Sequence, residues 1–484
     1  MIPRSGRIVR AVCVSAGWIG IASLSACDRQ PVGEDSGAGL HDQVSSLASA
    51  VQEEPGEAEQ WRLARAIPGF AGLGVDGEGS VLILTTDGSL RGADRALVAG
   101  SLPAHLQGRQ VVVGRARYTF AELAGWRDQL VEPLAEVSGV TYLDLDETIN
   151  RVVIGAAGSG ATRGAVAALA SRLGIPPGAI ELAASEEEIA PAPPSEALPS
   201  AAPATGVRVT DYVRPLRGGL AIGRQSSATQ YYKCTLGFVA DLGAVRVLLT
   251  NSHCSERSWD NDASIFHQPW PSGTNYRIGT EYRDRRGDSC GFLSLNVCRY
   301  SDATAVAIDP LVTSTRGTLA RTRYVGASTG SLEIDPYNPP FVVSGKASSI
   351  YKGETLDKLG ATTGWTRGAV TRTCVVTYQG GRTWSKLRCQ YFVQAGVYDG
   401  DSGSPVFRDN GNGTAHLYGM LWGRKTNSCD PLSGSCDLTV EYVFSPLSGI
   451  EQDLGTLQVD QGTVQQPGSG CSGGDLTGEI PIVC

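Results

Sequence analysis

Residues 400 to 405 read Gly400-Asp401-Ser402-Gly403-Ser404-Pro405. A Ser flanked by glycines lets a backbone turn expose its hydroxyl and aim amide hydrogens at one point in space, which makes Ser402 a candidate nucleophile. Alone, the string would also suit an ordinary turn. Some 150 residues upstream, Val247-Leu-Leu-Thr-Asn-Ser-His253-Cys254 places a His directly after an apolar strand and directly before a Cys, where a disulfide could hold the imidazole still. Between the two lies Arg299-Tyr-Ser-Asp302-Ala-Thr-Ala-Val-Ala-Ile308, an Asp at the head of an apolar strand. A carboxylate there is costly without a partner, and an imidazole N–H is such a partner. The order along the chain is His, Asp, Ser, unlike the Ser-first and Asp-first arrangements of the same chemistry.

Together with Lys233-Cys234-Thr-Leu-Gly-Phe238, Gly360-Ala-Thr-Thr-Gly-Trp-Thr-Arg-Gly-Ala-Val370 and Phe444-Ser-Pro-Leu, these motifs resemble the chymotrypsin-like serine proteases, on the bacterial branch of streptogrisins and α-lytic protease. The resemblance covers roughly residues 215 to 458. It implies an all-β double β-barrel domain and a serine endopeptidase that hydrolyses polypeptides through an acyl-enzyme. In that reading His253 is general base, Asp302 orients it, Ser402 attacks, and the backbone N–H groups of Gly400 and Ser402 form the oxyanion hole. Gly396, Leu421, Trp422 and Gly423 would line the substrate groove. The family also implies a Cys234–Cys254 disulfide beside the His, with 290–298, 374–389 and 429–436 as neighbouring pairs.

Several positions depart from the family pattern. Leu421 stands where a Ser often bonds the catalytic Asp, and Asn251-Ser252 replace two small residues before the His. Gly396 stands where an acidic residue would select Lys or Arg, so an apolar residue before the scissile bond is expected. The rival reading is a catalytically impaired protease-fold binding protein on the bacterial cell envelope. Trp126 and Trp259 follow no pattern that lifts them above ordinary core or surface aromatics.

The chain has 484 residues, enough for more than one domain. Its 41 basic and 49 acidic residues are spread without a basic patch, which argues against nucleic acid as partner. Sixty-one Gly and a charged fraction of only 19% suit short strands joined by turns. Residues 190 to 206, APAPPSEALPSAAPATG, are too rich in Pro and Ala to form a core and mark a linker, taken as 190–214. Before it, 65–189 read as a smaller α+β domain. Ala71 to Val75 and Val81 to Thr86 flank a hairpin at Asp76-Gly77, Gln110 to Val113 is a strand, and Thr119 with Glu122 opens a helix by a capping box. Tyr142 to Asp146 pairs with Arg151 to Ile154, and Ala165 to Leu173 is a short helix. The layout resembles the pro-regions of these proteases, which implies synthesis as a zymogen, opened by a cut near Leu216 to Gly219.

Residues 1–26 read as an export signal, with Arg4, Arg7 and Arg10 before an apolar run. Leu24-Ser25-Ala26-Cys27 resembles a lipobox, which implies lipidation of Cys27 and a membrane tether over 27–64; cleavage after Ala22 is the alternative. The expected location is the cell envelope, with the chain a monomer. Ten further cysteines, 234, 254, 290, 298, 374, 389, 429, 436, 471 and 484, are an even number with no CxxC among them. In an exported chain they suggest disulfides rather than a metal site, and no cofactor is called for. Cys471 and Cys484 would close a loop in a tail over 459–484.

Overall fold

The computed structural model describes residues 53–156, 160–184, 190–191, 206–225, 231–269, 276–290, 296–378, 385–425, 437–460 and 464–465. The export signal, Cys27, most of the tether, nearly all of the linker, Cys429, Cys436 and the Cys471–Cys484 tail lie outside these residues. The chain divides into residues 1–43 and residues 44–484, and all the described residues belong to the second unit.

Its N-terminal part runs α1 (Ala58–Ala66), β1 (Phe70–Val75), β2 (Val81–Thr85), α2 (Gly92–Ser101), β3 (Val111–Arg115), α3 (Phe120–Ala135), β4 (Val140–Asp146), β5 (Arg151–Ala156), α4 (Gly160–Arg172) and β6 (Ile180–Ala184). The β1–β2 hairpin forms with Val75 opposite Val81. Its turn spans five residues rather than two, closed by Asp76 Oδ1 accepting from the amides of Glu78 and Ser80. The capping box is present: Thr119 Oγ1 accepts from Glu122 N at 3.2 Å, and Glu122 Oε2 accepts from Thr119 N at 2.8 Å. The helix it opens buries Phe120, Leu123, Leu130 and Leu134.

Helices α1 and α2 and strand β6 were not foreseen, and α1 begins within the expected tether. Residues from 53 onward are held in place because Glu57 pairs with buried Arg127 and Glu54 with Arg388. The main apolar core of this part is shared: Tyr351, Val376 and Tyr378 pack into the cluster around Trp61, Leu123 and Leu143.

The remainder contributes β7 (Ala190–Pro191), β8 (Leu216–Gly218), β9 (Ala221–Gln225), β10 (Tyr231–Thr235), β11 (Phe238–Leu242), β12 (Val245–Asn251), β13 (Ile265–His267), β14 (Arg277–Arg283), β15 (Asp288–Cys290), β16 (Asn296–Arg299), β17 (Ala303–Ile308), β18 (Ser314–Leu319), β19 (Phe341–Lys346), β20 (Thr355–Gly360), β21 (Gly364–Tyr378), β22 (Ser385–Gly396), β23 (Pro405–Asp409), β24 (Thr414–Arg424), β25 (Thr439–Pro446), helix α5 (Leu447–Leu454), β26 (Leu457–Gln458) and β27 (Val464–Gln465). The chain is therefore mostly β. One sheet has the order β10-β9-β13-β14-β17-β12-β11-β26. A second runs β15-β16-β22-β25-β24-β23-β20-β21 and continues without a break into β4-β5-β6. The join is antiparallel, with Val376 opposite Leu143 and Thr377 opposite Tyr142. The N-terminal strands thus extend the second sheet.

Residues 206–214 are not linker in structure, since Val209 is fully buried and its carbonyl accepts from Ala221 N. Leu216 is also fully buried and pairs along β18, so the segment expected to be cut is sheltered. Three disulfides join Cys234 to Cys254, Cys290 to Cys298 and Cys374 to Cys389. Among the described residues no helix is long and apolar enough to cross a membrane.

Candidate active site

Strand β12 ends at Asn251, and a single 3-10 turn, Ser252–Cys254, carries His253 off its tip. The neighbouring strand β17 runs antiparallel, with Asn251 opposite Ala303, so Asp302 arrives beside that turn. The main chains are tied there, because Asn251 Nδ2 and Ser252 N both donate to Asp302 O, at 2.9 and 3.0 Å. The Asn251 side chain thus ties the His turn to Asp302, while the Ser252 hydroxyl accepts from Trp259 N. Ser402 comes from the second sheet, in the turn that enters β23. The three side chains meet: His253 Nδ1 is hydrogen-bonded to Asp302 Oδ2, and His253 Nε2 lies 2.9 Å from Ser402 Oγ. Asp302 and Ser402 are buried, and His253 nearly so.

The turn that carries Ser402 is fixed from three sides. Thr235 at the end of β10 donates through its amide to Ser402 O at 2.7 Å and through its hydroxyl to Gly400 O at 2.9 Å. Gly403 N donates to Leu421 O and Asp401 N to Tyr398 O. Gly400 and Gly403 have φ of +90° and +88°, the left-handed region that Gly adopts without steric cost. Beneath the turn, Asp401 is fully buried and points away from Ser402. Its Oδ1 accepts from the amides of Thr362 and Thr363, and its Oδ2 accepts from Lys358 Nζ at 2.9 Å and Thr363 Oγ1 at 2.6 Å. Burial pushes this carboxyl up, but the Lys358 charge and the Thr363 hydrogen bonds outweigh it and hold Asp401 below the usual carboxylate range.

Neither Lys358 nor the anchoring threonines were singled out in the sequence. The local sequence Thr355-Leu356-Asp357-Lys358-Leu359-Gly360 puts Lys358 on the same face as Leu356, and a Lys buried on such a face needs an anion.

The groove residues separate. Gly396 is built into the scaffold: its amide donates to Ala327 O at 2.7 Å, and a Cβ on it would come within 1.7 Å of Ser328 O. Leu421 and Trp422 are both fully buried on opposite faces of β24. Leu421 packs with Tyr391, Val393 and Phe444. Trp422 shares a cluster with Trp259 and donates from Nε1 to Gln390 Oε1 at 2.7 Å. Gln390 Oε1 also takes the Ser445 hydroxyl, and Ser445 Oγ accepts from Asp302 N. It is therefore Trp422, not Leu421, whose side chain belongs to the surroundings of Asp302. Gly423 and Arg424 pair antiparallel with Pro191 and Ala190, so a piece of the linker adds a strand to the edge of β24.

A cavity of about 570 Å³ lies away from the triad, lined by Tyr142, Asp144, Asp146, Lys352, Arg372 and Glu441 among others. Burial and the nearby charge of Asp146 push Asp144 up to about 7.

No protein-family model matches the chain, and no curated protein matches it. Among solved structures, Thermobifida fusca Protease A is 18% identical with a TM-score of 0.32, covering 51% of this chain and 98% of that one. An α-lytic protease homologue, N4, is 16% identical with a TM-score of 0.34, covering 50% and 98%. A protein described as a glutamic acid specific serine protease with a histidine triad in substrate binding is 20% identical with a TM-score of 0.32, covering 50% and 100%. The structural neighbours are thus serine proteases, alike over about half of this chain.

Proposed function

We propose that the chain is an exported serine endopeptidase of chymotrypsin-like, double β-barrel design, tethered to the cell envelope through a lipid on Cys27. The observation that carries this is the hydrogen-bonded series Asp302, His253, Ser402, with Nδ1 turned to the carboxylate and Nε2 2.9 Å from the hydroxyl. In the reaction, Nε2 takes the Ser402 proton as Oγ attacks the peptide carbonyl. Asp302 stabilises the imidazolium, and the amides of Gly400 and Ser402 receive the oxyanion. The protonated imidazole then passes its proton to the departing amine. Water, activated by the same His253, attacks the ester carbon and frees Ser402.

The form at hand is read as latent. Ser402 has no exposed surface, and Ala190–Pro191 lies along β24 as an added strand, the way an extended peptide binds a sheet edge. Activation then requires a cut in residues 192–205 rather than near Leu216. A fluorophosphonate probe tests the whole reading. Wild type should be labelled once that segment is cut, and Ser402→Ala should not. Absence of labelling in the cut, folded wild type overturns the enzyme in favour of a protease-fold binding protein.

A further inference from the structure

Asp302 is 1% exposed, so each of its carboxylate oxygens needs a donor. His253 occupies Oδ2. Oδ1 takes the indole N–H of Trp259, at 3.1 Å. We propose that Trp259 is a positioning residue for the triad, fixing the rotation of the Asp302 carboxylate so that Oδ2 stays on His253 Nδ1. The proposal rests on the reading of the site as a protease.

Three further observations show that this contact is built. Trp259 has a φ of +59°, a conformation that bulky side chains rarely adopt. The strain is held by its own amide, which donates to the buried Ser252 Oγ at 2.6 Å, one residue before His253. The ring is also fixed from the side. It packs in the cluster containing Trp422, and the guanidinium of buried Arg299 lies 5.6 Å from its centroid. Arg299 in turn is locked to Asp284 at 2.8 Å and to Ala303 O at 2.9 Å, beside Asp302 itself. The loop that presents Trp259 is thus fastened to both strands that carry the triad's His and Asp.

The chemistry suits the role. An indole N–H can only donate, so it cannot reverse its polarity as a hydroxyl can. With Oδ1 satisfied, the carboxylate keeps the Nδ1–H tautomer of His253, which leaves Nε2 to accept the proton of Ser402. Losing the donor leaves Oδ1 unpaired in a buried site and concentrates charge on the carboxylate facing the imidazole. That favours the imidazolium, and the acid limb of the pH–rate profile moves to higher pH.

The test replaces Trp259 in the full chain by Phe and, separately, by benzothienylalanine, which keeps the bicyclic shape and exchanges only N–H for sulfur. Two quantities are read in chains cut within 192–205: the pH dependence of phosphonylation of Ser402, and the low-field resonance of the proton between His253 and Asp302. The expected result for the isostere is a rate lower by about 10- to 100-fold near neutral pH, an acid limb moved upward, and the resonance moved downfield. A folded isostere with unchanged rate, limb and resonance overturns the proposal. So does a slower rate with the limb and resonance unmoved, because packing alone would produce it. Should the wild type fail to label at all, the protease reading fails by itself, and the resonance shift still decides whether Trp259 positions Asp302.

Discussion

Lys358 Nζ lies 2.9 Å from Asp401 Oδ2, and both side chains are completely buried. The residue next to Ser402 is thereby anchored by a cation from β20, 43 positions earlier in the chain. Replacing Lys358 with Met strands the Asp401 carboxylate, a loss of about 3–5 kcal/mol for a broken buried pair. Thermal unfolding should show this, and labelling of Ser402 should fall by at least about 100-fold under conditions where the variant is still folded. The double variant K358M/D401N should recover stability without recovering labelling. A K358M chain that melts and labels like wild type would show that the turn is held by its glycines and threonines alone.

Asp144 gives a pH dependence with a definite sign. Its carboxyl is raised to about 7 by burial first and by Asp146 second, against an ordinary value of 3.8. The folded state therefore holds this proton between about pH 4 and pH 7 while the unfolded state does not. The stabilisation is complete below pH 4 and is lost as pH rises through 7. Three units correspond to a ceiling of about 4 kcal/mol at 1.36 kcal/mol per unit. The Asp144→Asn variant should match wild type at pH 4 and melt higher at pH 8. Equal melting temperatures at both pH values would mean that Asp144 stays ionised in its cavity.

That Ser402, His253 and Asp302 come together could be anticipated because each sits in a local pattern: Ser402 near glycines, His253 between an apolar strand and a Cys, Asp302 at the head of an alternating strand. What the sequence hid is what depends on distant pairing. Trp259 meets Asp302 across 43 residues, and Lys358 reveals its partner only when β20 and the 400–405 turn are brought together. Helix α1 was missed for a different reason. Its nine residues, AEQWRLARA, bury only Gln60, Trp61 and Leu63, too few for a periodic signal, and tertiary ion pairs of the neighbouring Glu54 and Glu57 hold the segment down. The hairpin and the capping box before residue 190 were legible locally, but nothing local could show that β4 would pair with β21 and share its core.

If the proposed latency rests on the strand that Ala190–Pro191 adds to β24, cutting the chain beyond it relieves it. A chain cut at an engineered site within 192–205 should react with fluorophosphonate at least about 10-fold faster than the intact chain, since the cut frees one end of the strand on β24. Equal rates before and after cutting would remove the strand as the cause of burial at Ser402.

Gly396 tests the wall next to the nucleophile turn. Its amide is bonded to Ala327 O, its carbonyl accepts from Thr366 Oγ1 at 2.9 Å, and an added Cβ would lie 1.7 Å from the backbone oxygen of Ser328. Backbone cannot yield as a flexible side-chain tip does, so Gly396→Ala must push the 326–330 segment away from β22. A loss of about 1–3 kcal/mol is expected from such overpacking. The neighbouring amide of Val397 is held by Leu438 O at 3.0 Å, so the displacement is passed toward residues 397–402. The variant should therefore lose labelling of Ser402 by more than its fall in stability accounts for, measured well below its melting temperature. A Gly396→Ala chain that is destabilised yet labels at the wild-type rate would show that the 326–330 segment moves independently of the nucleophile turn.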